Sequence, residues 1–111
     1  MYENLKQGLE GCVYTVFTPF DADENIDYES LEKYLSHLYA GGARKFYVMA
    51  YNSRYSQLKH SEIMALNEFC IQFLKRLDIN NLVVVGDPIH CSTAESTEFA
   101  QHAKETGADL I

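Results

Sequence analysis

Ala40-Gly41-Gly42-Ala43-Arg44-Lys45-Phe46-Tyr47-Val48-Met49 reads as a helix end, a glycine stop and a strand. The same grammar returns at the other end of the chain, in Glu105-Thr106-Gly107-Ala108-Asp109-Leu110-Ile111. In the first copy the strand runs on for several residues. In the second only its opening residues are present, which predicts a fourth strand that is cut short. A domain seldom ends inside a strand, so the 111 residues are expected to be part of a larger unit.

Working outward from these stretches, the alternation fills the chain. Gly11-Cys12-Val13-Tyr14-Thr15-Val16-Phe17 is a nearly continuous apolar and β-branched run, which predicts a strand buried on both faces. Thr18-Pro19-Phe20 ends it, because Pro19 has no N–H for the ladder. After the polar loop 21–25, Asp27 predicts a helix N-cap with Glu29 in the first turn. Leu31, Tyr34, Leu35, Leu38 and Tyr39 then form one apolar stripe. The second strand should run from Lys45 to Met49 or Ala50. A second helix is expected from about His60 to Leu77, burying Ile63, Leu66, Phe69, Cys70, Phe73, Leu74 and Leu77. Leu82-Val83-Val84-Val85-Gly86 is the clearest strand, and Asp87-Pro88 ends it. Ser92 or Thr93 caps a third helix that runs to about Thr106.

The order βαβαβαβ, about three and a half βα units over residues 1–111, means α/β architecture with parallel strands joined by helical crossovers. An open doubly wound sheet and part of a (β/α)₈ barrel both fit this order. No Gly-x-Gly-x-x-Gly or P-loop follows any strand, which weakens the nucleotide-binding version of the first.

Charge narrows the partners. Sixteen acidic residues against nine basic ones give a formal net charge of −7. The basic residues are scattered, so nucleic acid is not an expected partner. Three dispersed cysteines and four dispersed histidines show no metal-ligand spacing and predict a reduced, cytoplasmic setting without a metal or other cofactor. The first eleven residues lack the apolar centre of a signal peptide, and no stretch is long enough to span a membrane.

Chemistry in either architecture belongs to the loops after the strands. Thr18 supplies a hydroxyl at the end of the first strand. The second loop presents Tyr51, Asn52, Ser53, Arg54 and Tyr55 just before a helix, a group of donors suited to a carboxylate. The third loop offers Asp87 and His90. Each has a plainer alternative. Thr18-Pro19 can simply shape a turn, Tyr51 and Tyr55 can cover the end of the sheet, and Arg54 can make a surface ion pair. Asp87-Pro88 is a common turn pair, with His90 an exposed neighbour.

These pieces together resemble the dihydrodipicolinate synthase / N-acetylneuraminate lyase family. The resemblance rests on the strand into Thr18-Pro19-Phe20, Asp21, Ile26-Asp27 with Leu31, and Gly41-Gly42-Ala43. It continues through Leu58 and Glu62, Val83-Val84-Val85-Gly86, Ser92-Thr93-Ala94-Glu95, Ala100, Ala103 and Gly107-Ala108-Asp109. It spans nearly everything from Leu9 to Ile111.

The resemblance implies the N-terminal half of a (β/α)₈ TIM barrel. It also implies chemistry on a pyruvate-type keto acid, in which a lysine forms a Schiff base and a tyrosine relays protons. A Gly-Thr-Thr-Gly-Glu loop after strand two holds the keto-acid carboxylate in that family. Here it falls on Ala50-Tyr51-Asn52-Ser53-Arg54, where none of the five matches. Tyr51 keeps a hydroxyl, Arg54 reverses a charge, and Ala50 and Ser53 lack glycine's freedom at positive φ. The relay tyrosine and Schiff-base lysine belong to later strands, so no catalytic residue is assigned. Thr18, Tyr51, Asn52 and Arg54 are the expected substrate-binding residues. The expected parent is a class I aldolase-type lyase that forms homo-oligomers and takes a small keto acid, with this chain inactive alone. The alternative is a non-enzymatic half-barrel module that self-associates. A small flavodoxin-like binding domain is a third reading, poorly suited to a chain that ends inside a strand.

Overall fold

The computed structural model describes residues 2–89 and 91–111. Its order of strands decides between the two architectures. β1 (Tyr14–Thr15) pairs in parallel with β2 (Lys45–Val48), and β2 pairs in parallel with β3 (Leu82–Val85). Leu110 then pairs in parallel with Val84 on the far side of β3. Each crossover therefore moves one strand further in the same direction. Right-handed crossovers that never reverse place all their helices on one face of the sheet. A doubly wound sheet must reverse. This chain does not, so its parallel strands and helices follow the barrel pattern.

α2 (Tyr28–Ala40), α3 (His60–Leu77) and α4 (Thr93–Thr106) make the crossovers. Asp27 caps α2, its carboxylate accepting from the Ser30 N–H at 3.0 Å. Gly42, at φ 107, takes the left-handed turn that ends it. Ser92 caps α4 by accepting from the Glu95 N–H at 3.2 Å. Phe46, Val48, Val83 and Val85 face the helices and pack with Leu31, Leu35, Ile63, Leu66, Cys70, Ile71, Leu74, Phe99 and Ala103 in one buried cluster. Each fully buried aliphatic or aromatic side chain of this kind contributes about 1.5–3 kcal/mol. On the opposite face Tyr47, Val84 and Leu110, with Val13 and Leu9, line an open hollow of about 400 Å³.

Several expectations need correction. The first strand is two residues long, extended only by the Val16 N–H bonding the Tyr47 carbonyl at 3.1 Å. It is not buried on both faces, for Val13, Tyr14 and Phe17 are exposed while Val16 is buried. Among the described residues β1 pairs only with β2. β2 ends at Val48 because Met49 turns to φ 59. A helix not anticipated from the sequence, α1 (Tyr2–Gly8), precedes the sheet. It buries no residue and so carries no apolar stripe to read. The polar loop 21–25 is the tip of a small hairpin in which Phe20 and Ile26 bridge antiparallel.

Candidate ligand site at the strand ends

The C-terminal ends of β1 and β2 are tied together from the sequence upward. The first strand ends well before Pro19, and Thr18, between them, is buried. Its hydroxyl donates to the Ser53 carbonyl at 2.5 Å. The Asn52 amide donates to the Thr15 hydroxyl at 3.1 Å. These two bonds hold the loop after β2 against the end of β1.

The loop itself is two single 3₁₀ turns, Tyr51–Ser53 and Tyr55–Gln57, hinged at Arg54. The Ser53 N–H closes the first on the Ala50 carbonyl and the Gln57 N–H closes the second on the Arg54 carbonyl. Ser53 is buried, its hydroxyl directed at the Met49 sulfur at 3.4 Å. The positive-φ problem expected at Ala50 and Ser53 does not arise. Ala50 is extended at φ −70 and Ser53 has negative φ. The left-handed residues are their neighbours, Met49 at φ 59 and Arg54 at φ 65. Each carries the strain of about 1 kcal/mol or more that a non-glycine residue meets there. Gly86 at the end of β3 completes this corner. A Cβ on it would stand 2.6 Å from the Met49 carbonyl oxygen.

Above the corner lies an open cavity of about 860 Å³, lined by Phe17, Tyr51, Asn52, Arg54, Tyr55, Ser56, Gln57 and Ile89. Three of the four expected binding residues therefore line one space. Thr18 does not, and acts from below through Ser53. The plainer reading of the tyrosines divides between them. Tyr55 is buried and packs edge-on to Tyr51 at 6.3 Å, whereas Tyr51 is 84% exposed. The expected ion pair of Arg54 is not formed with any of the described residues. Of the four expected residues, Tyr51 and Arg54 are thus the two whose side-chain donors make no hydrogen bond or ion pair with a described residue. Asp87 is exposed beside Gly86, lining neighbouring hollows and not this cavity. His90 lies outside the described residues.

Ser56, Gln57 and Ile89 lie in the loops where the sequence puts the chemistry but are not singled out by it, and Phe17 lies outside those loops. Phe17 reads as part of the first strand's apolar run, but it falls past the strand's end and is exposed. No lysine lines the cavity. Lys45 bonds the Glu10 carbonyl at the start of β2, Lys33 pairs with Glu29 on α2, and Lys75 pairs with Asp109. Among the described residues no group of three His, Cys, Asp or Glu side chains is placed to hold a metal ion. None of the described helices is long and apolar enough to cross a membrane.

A singly wound parallel array, with its polar loops gathered at the strand ends, is the arrangement of a (β/α)₈-barrel protein. The chain belongs to the dihydrodipicolinate synthetase family, whose model matches residues 8–111. It is 28% identical over 103 residues to the 4-hydroxy-tetrahydrodipicolinate synthase of Brachyspira hyodysenteriae, covering 93% of this chain and 34% of that one. It is 32% identical over 104 residues to the enzyme of the same name from Bartonella quintana, again covering 93% and 34%. The dihydrodipicolinate synthase of Oceanobacillus iheyensis superposes with a TM-score of 0.88 at 17% identity, over 99% of this chain and 36% of that one. YagE, a prophage protein of this family from E. coli K12 solved in complex with pyruvate, gives 0.77 at 25% identity, over 92% and 33%. The chain spans about a third of the length of the relatives it matches.

Proposed function

We propose that residues 1–111 form about three and a half βα units of a Schiff-base-forming lyase or aldolase that acts on a pyruvate-type keto acid. The loop after β2 is its carboxylate-holding element. The observation that carries this reading is that two of the expected residues, Tyr51 and Arg54, have side-chain donors with no partner among the described residues and stand on a loop braced by Thr18 and Asn52 at the ends of parallel strands. Loops in that position carry the chemistry of this fold. Pyruvate bound to YagE supports the ligand class. In this reading the Tyr51 hydroxyl and loop N–H groups take the carboxylate, Asn52 orients the turn, and Arg54 supplies positive charge. The lysine and proton-relaying tyrosine lie elsewhere in the parent barrel, and the chain alone turns over no substrate. Three free cysteines fit a reduced, cytoplasmic setting.

The test has two parts. Pyruvate added to the chain should shift the amide resonances of residues 51–57. Borohydride added to the mixture should leave no adduct on any lysine. Unmoved loop resonances overturn the carboxylate role, and a trapped lysine overturns the claim of inactivity.

A second reading is favoured by the uncovered sheet face. Val13 and Leu110 are exposed there, beside the exposed strand end at Phe17. Apolar surface of this kind invites a second copy to close a barrel-like homo-oligomer. Sedimentation at rising concentration distinguishes the two, since a strictly monomeric folded chain counts against self-association.

A further inference from the structure

We infer that Tyr47, on β2 itself, is a further substrate-binding residue, whose phenol donates a hydrogen bond to the keto oxygen of the bound acid. The inference rests on the keto-acid reading above and extends it from the loop to the strand beneath. Three observations converge. The first is direction. Phe46 and Val48 are buried against the helices, so alternation along β2 turns Tyr47 to the other face. There it stands half-buried, beside Val84 and Leu110. In a (β/α)₈ barrel that face is the interior.

The second is height. The Tyr47 Cα is in register with Val84, yet its hydroxyl lies beside Gly86, further toward the C-terminal ends of the strands. A Cβ built on Gly86 would stand 3.1 Å from that hydroxyl and 2.6 Å from the Met49 carbonyl oxygen. The phenol therefore comes close to the peptide that begins the carboxylate-holding loop, at the end of the barrel where chemistry resides. Gly86 is not among the glycines at positive φ, so its backbone has no need of glycine. The space that Tyr47 and Met49 occupy does need it. The third is an open donor. The Tyr34 and Tyr39 hydroxyls bond the Thr15 carbonyl and the Asp78 carboxylate, whereas the Tyr47 hydroxyl bonds no described residue. A tyrosine hydroxyl taken out of water usually finds a partner. A keto acid supplies one. Its keto carbon is bonded directly to the carboxylate, so a carboxylate on the loop brings the keto oxygen down to the level of Gly86, within reach of the phenol.

Pyruvate and propanoate isolate the keto oxygen, since they share the carboxylate and the chain length. Titration of the chain, followed through the amide resonances of residues 51–57, should show pyruvate binding about fivefold more tightly, the effect of one neutral hydrogen bond. Tyr47→Phe keeps the ring and removes the hydroxyl. It should bring pyruvate down to about the affinity of propanoate. In protein isotope-labelled at the tyrosine Cζ atoms, the resonance missing from Tyr47→Phe belongs to Tyr47. In the parent it should move with pyruvate and hold still with propanoate, a response that a tyrosine serving only to pack the barrel would not give. Equal affinity of the parent for the two ligands, a preference that survives Tyr47→Phe, or a Tyr47 resonance unmoved by bound pyruvate overturns this inference and leaves the keto-acid reading intact. Binding of neither ligand overturns both.

Discussion

The Thr18 hydroxyl donates to the Ser53 carbonyl at 2.5 Å, joining the end of the first strand to the loop after the second across 35 residues of sequence. Both residues are buried, so the carbonyl has no water to turn to. Thr18→Val keeps the shape and removes the donor. It should cost about 1–3 kcal/mol, the penalty for a buried acceptor left unpaired. Thr18→Ser should recover most of that. Urea unfolding of the three proteins checks the order, and a valine variant as stable as the parent would show that the bond carries no weight.

The helices were legible because their signals are local. The span of α3 and the Ser92 cap emerged as read, and so did the α2 stripe except for Tyr39, which meets Asp78 and Arg44 outside the core. The faces were less so. On α3 the sequence favoured Phe69, Phe73 and Leu77, which are only partly buried, and passed over Asn67 and Ile71, which are fully buried. Neither end of the Asn67 amide has a hydrogen-bond partner among the described residues, an arrangement that no polarity pattern foretells. At the site, residue types and loop position were readable. The division of labour was not, because it depends on which donors are spent on non-local bonds. Thr18 and Asn52 spend theirs, and Tyr51 and Arg54 spend none on a described residue.

Lys75 and Asp109 make the corresponding clasp at the opposite end of the sheet. One Asp109 carboxylate oxygen accepts from Lys75 Nζ at 2.7 Å and from the Val83 N–H at 2.8 Å. Lys75 also donates to the Asn81 carbonyl at 2.7 Å. The side chains are 20% and 25% exposed, so the pair is partly shielded from water. Asp109→Ala strands both donors and should cost about 1.5–3 kcal/mol, as loss of a hydrogen bond to a charged group does. Hydrogen exchange should quicken first at Val83 and Val85, whose N–H groups lean on Asp109 and Leu110. Uniform exchange across the chain would refute a local clasp.

Thiol labelling should follow burial. Cys12 is exposed, Cys91 half-buried and Cys70 fully buried. Burial pushes the Cys70 thiol up to about 12, so at neutral pH it presents almost no thiolate. Burial, with lesser effects from Glu95 and Asp87, also raises the Cys91 thiol. Maleimide added to the native chain should modify Cys12 first, Cys91 more slowly, and Cys70 only after urea. Early modification of Cys70 would mean that α3 opens readily from the sheet.

Acid stability should depend on two capping carboxylates. The Ser30 N–H holds the Asp27 carboxyl below its ordinary 3.8, helped by the Ser30 hydroxyl. The Asn80 N–H does the same for Asp78, with the Tyr39 hydroxyl adding to it. In both, the folded value lies below the unfolded one. The stabilisation is therefore complete above the unfolded value, and is lost as pH falls from 3.8 through the lower folded value. Asp27→Asn retains a capping oxygen but cannot titrate. The parent should unfold at a higher temperature than this variant above about pH 5, and the gap should narrow as pH falls below the ordinary 3.8. Thermal melts at both acidities decide the matter, since a gap that is unchanged in acid would place the effect of Asp27 in geometry and not in its charge.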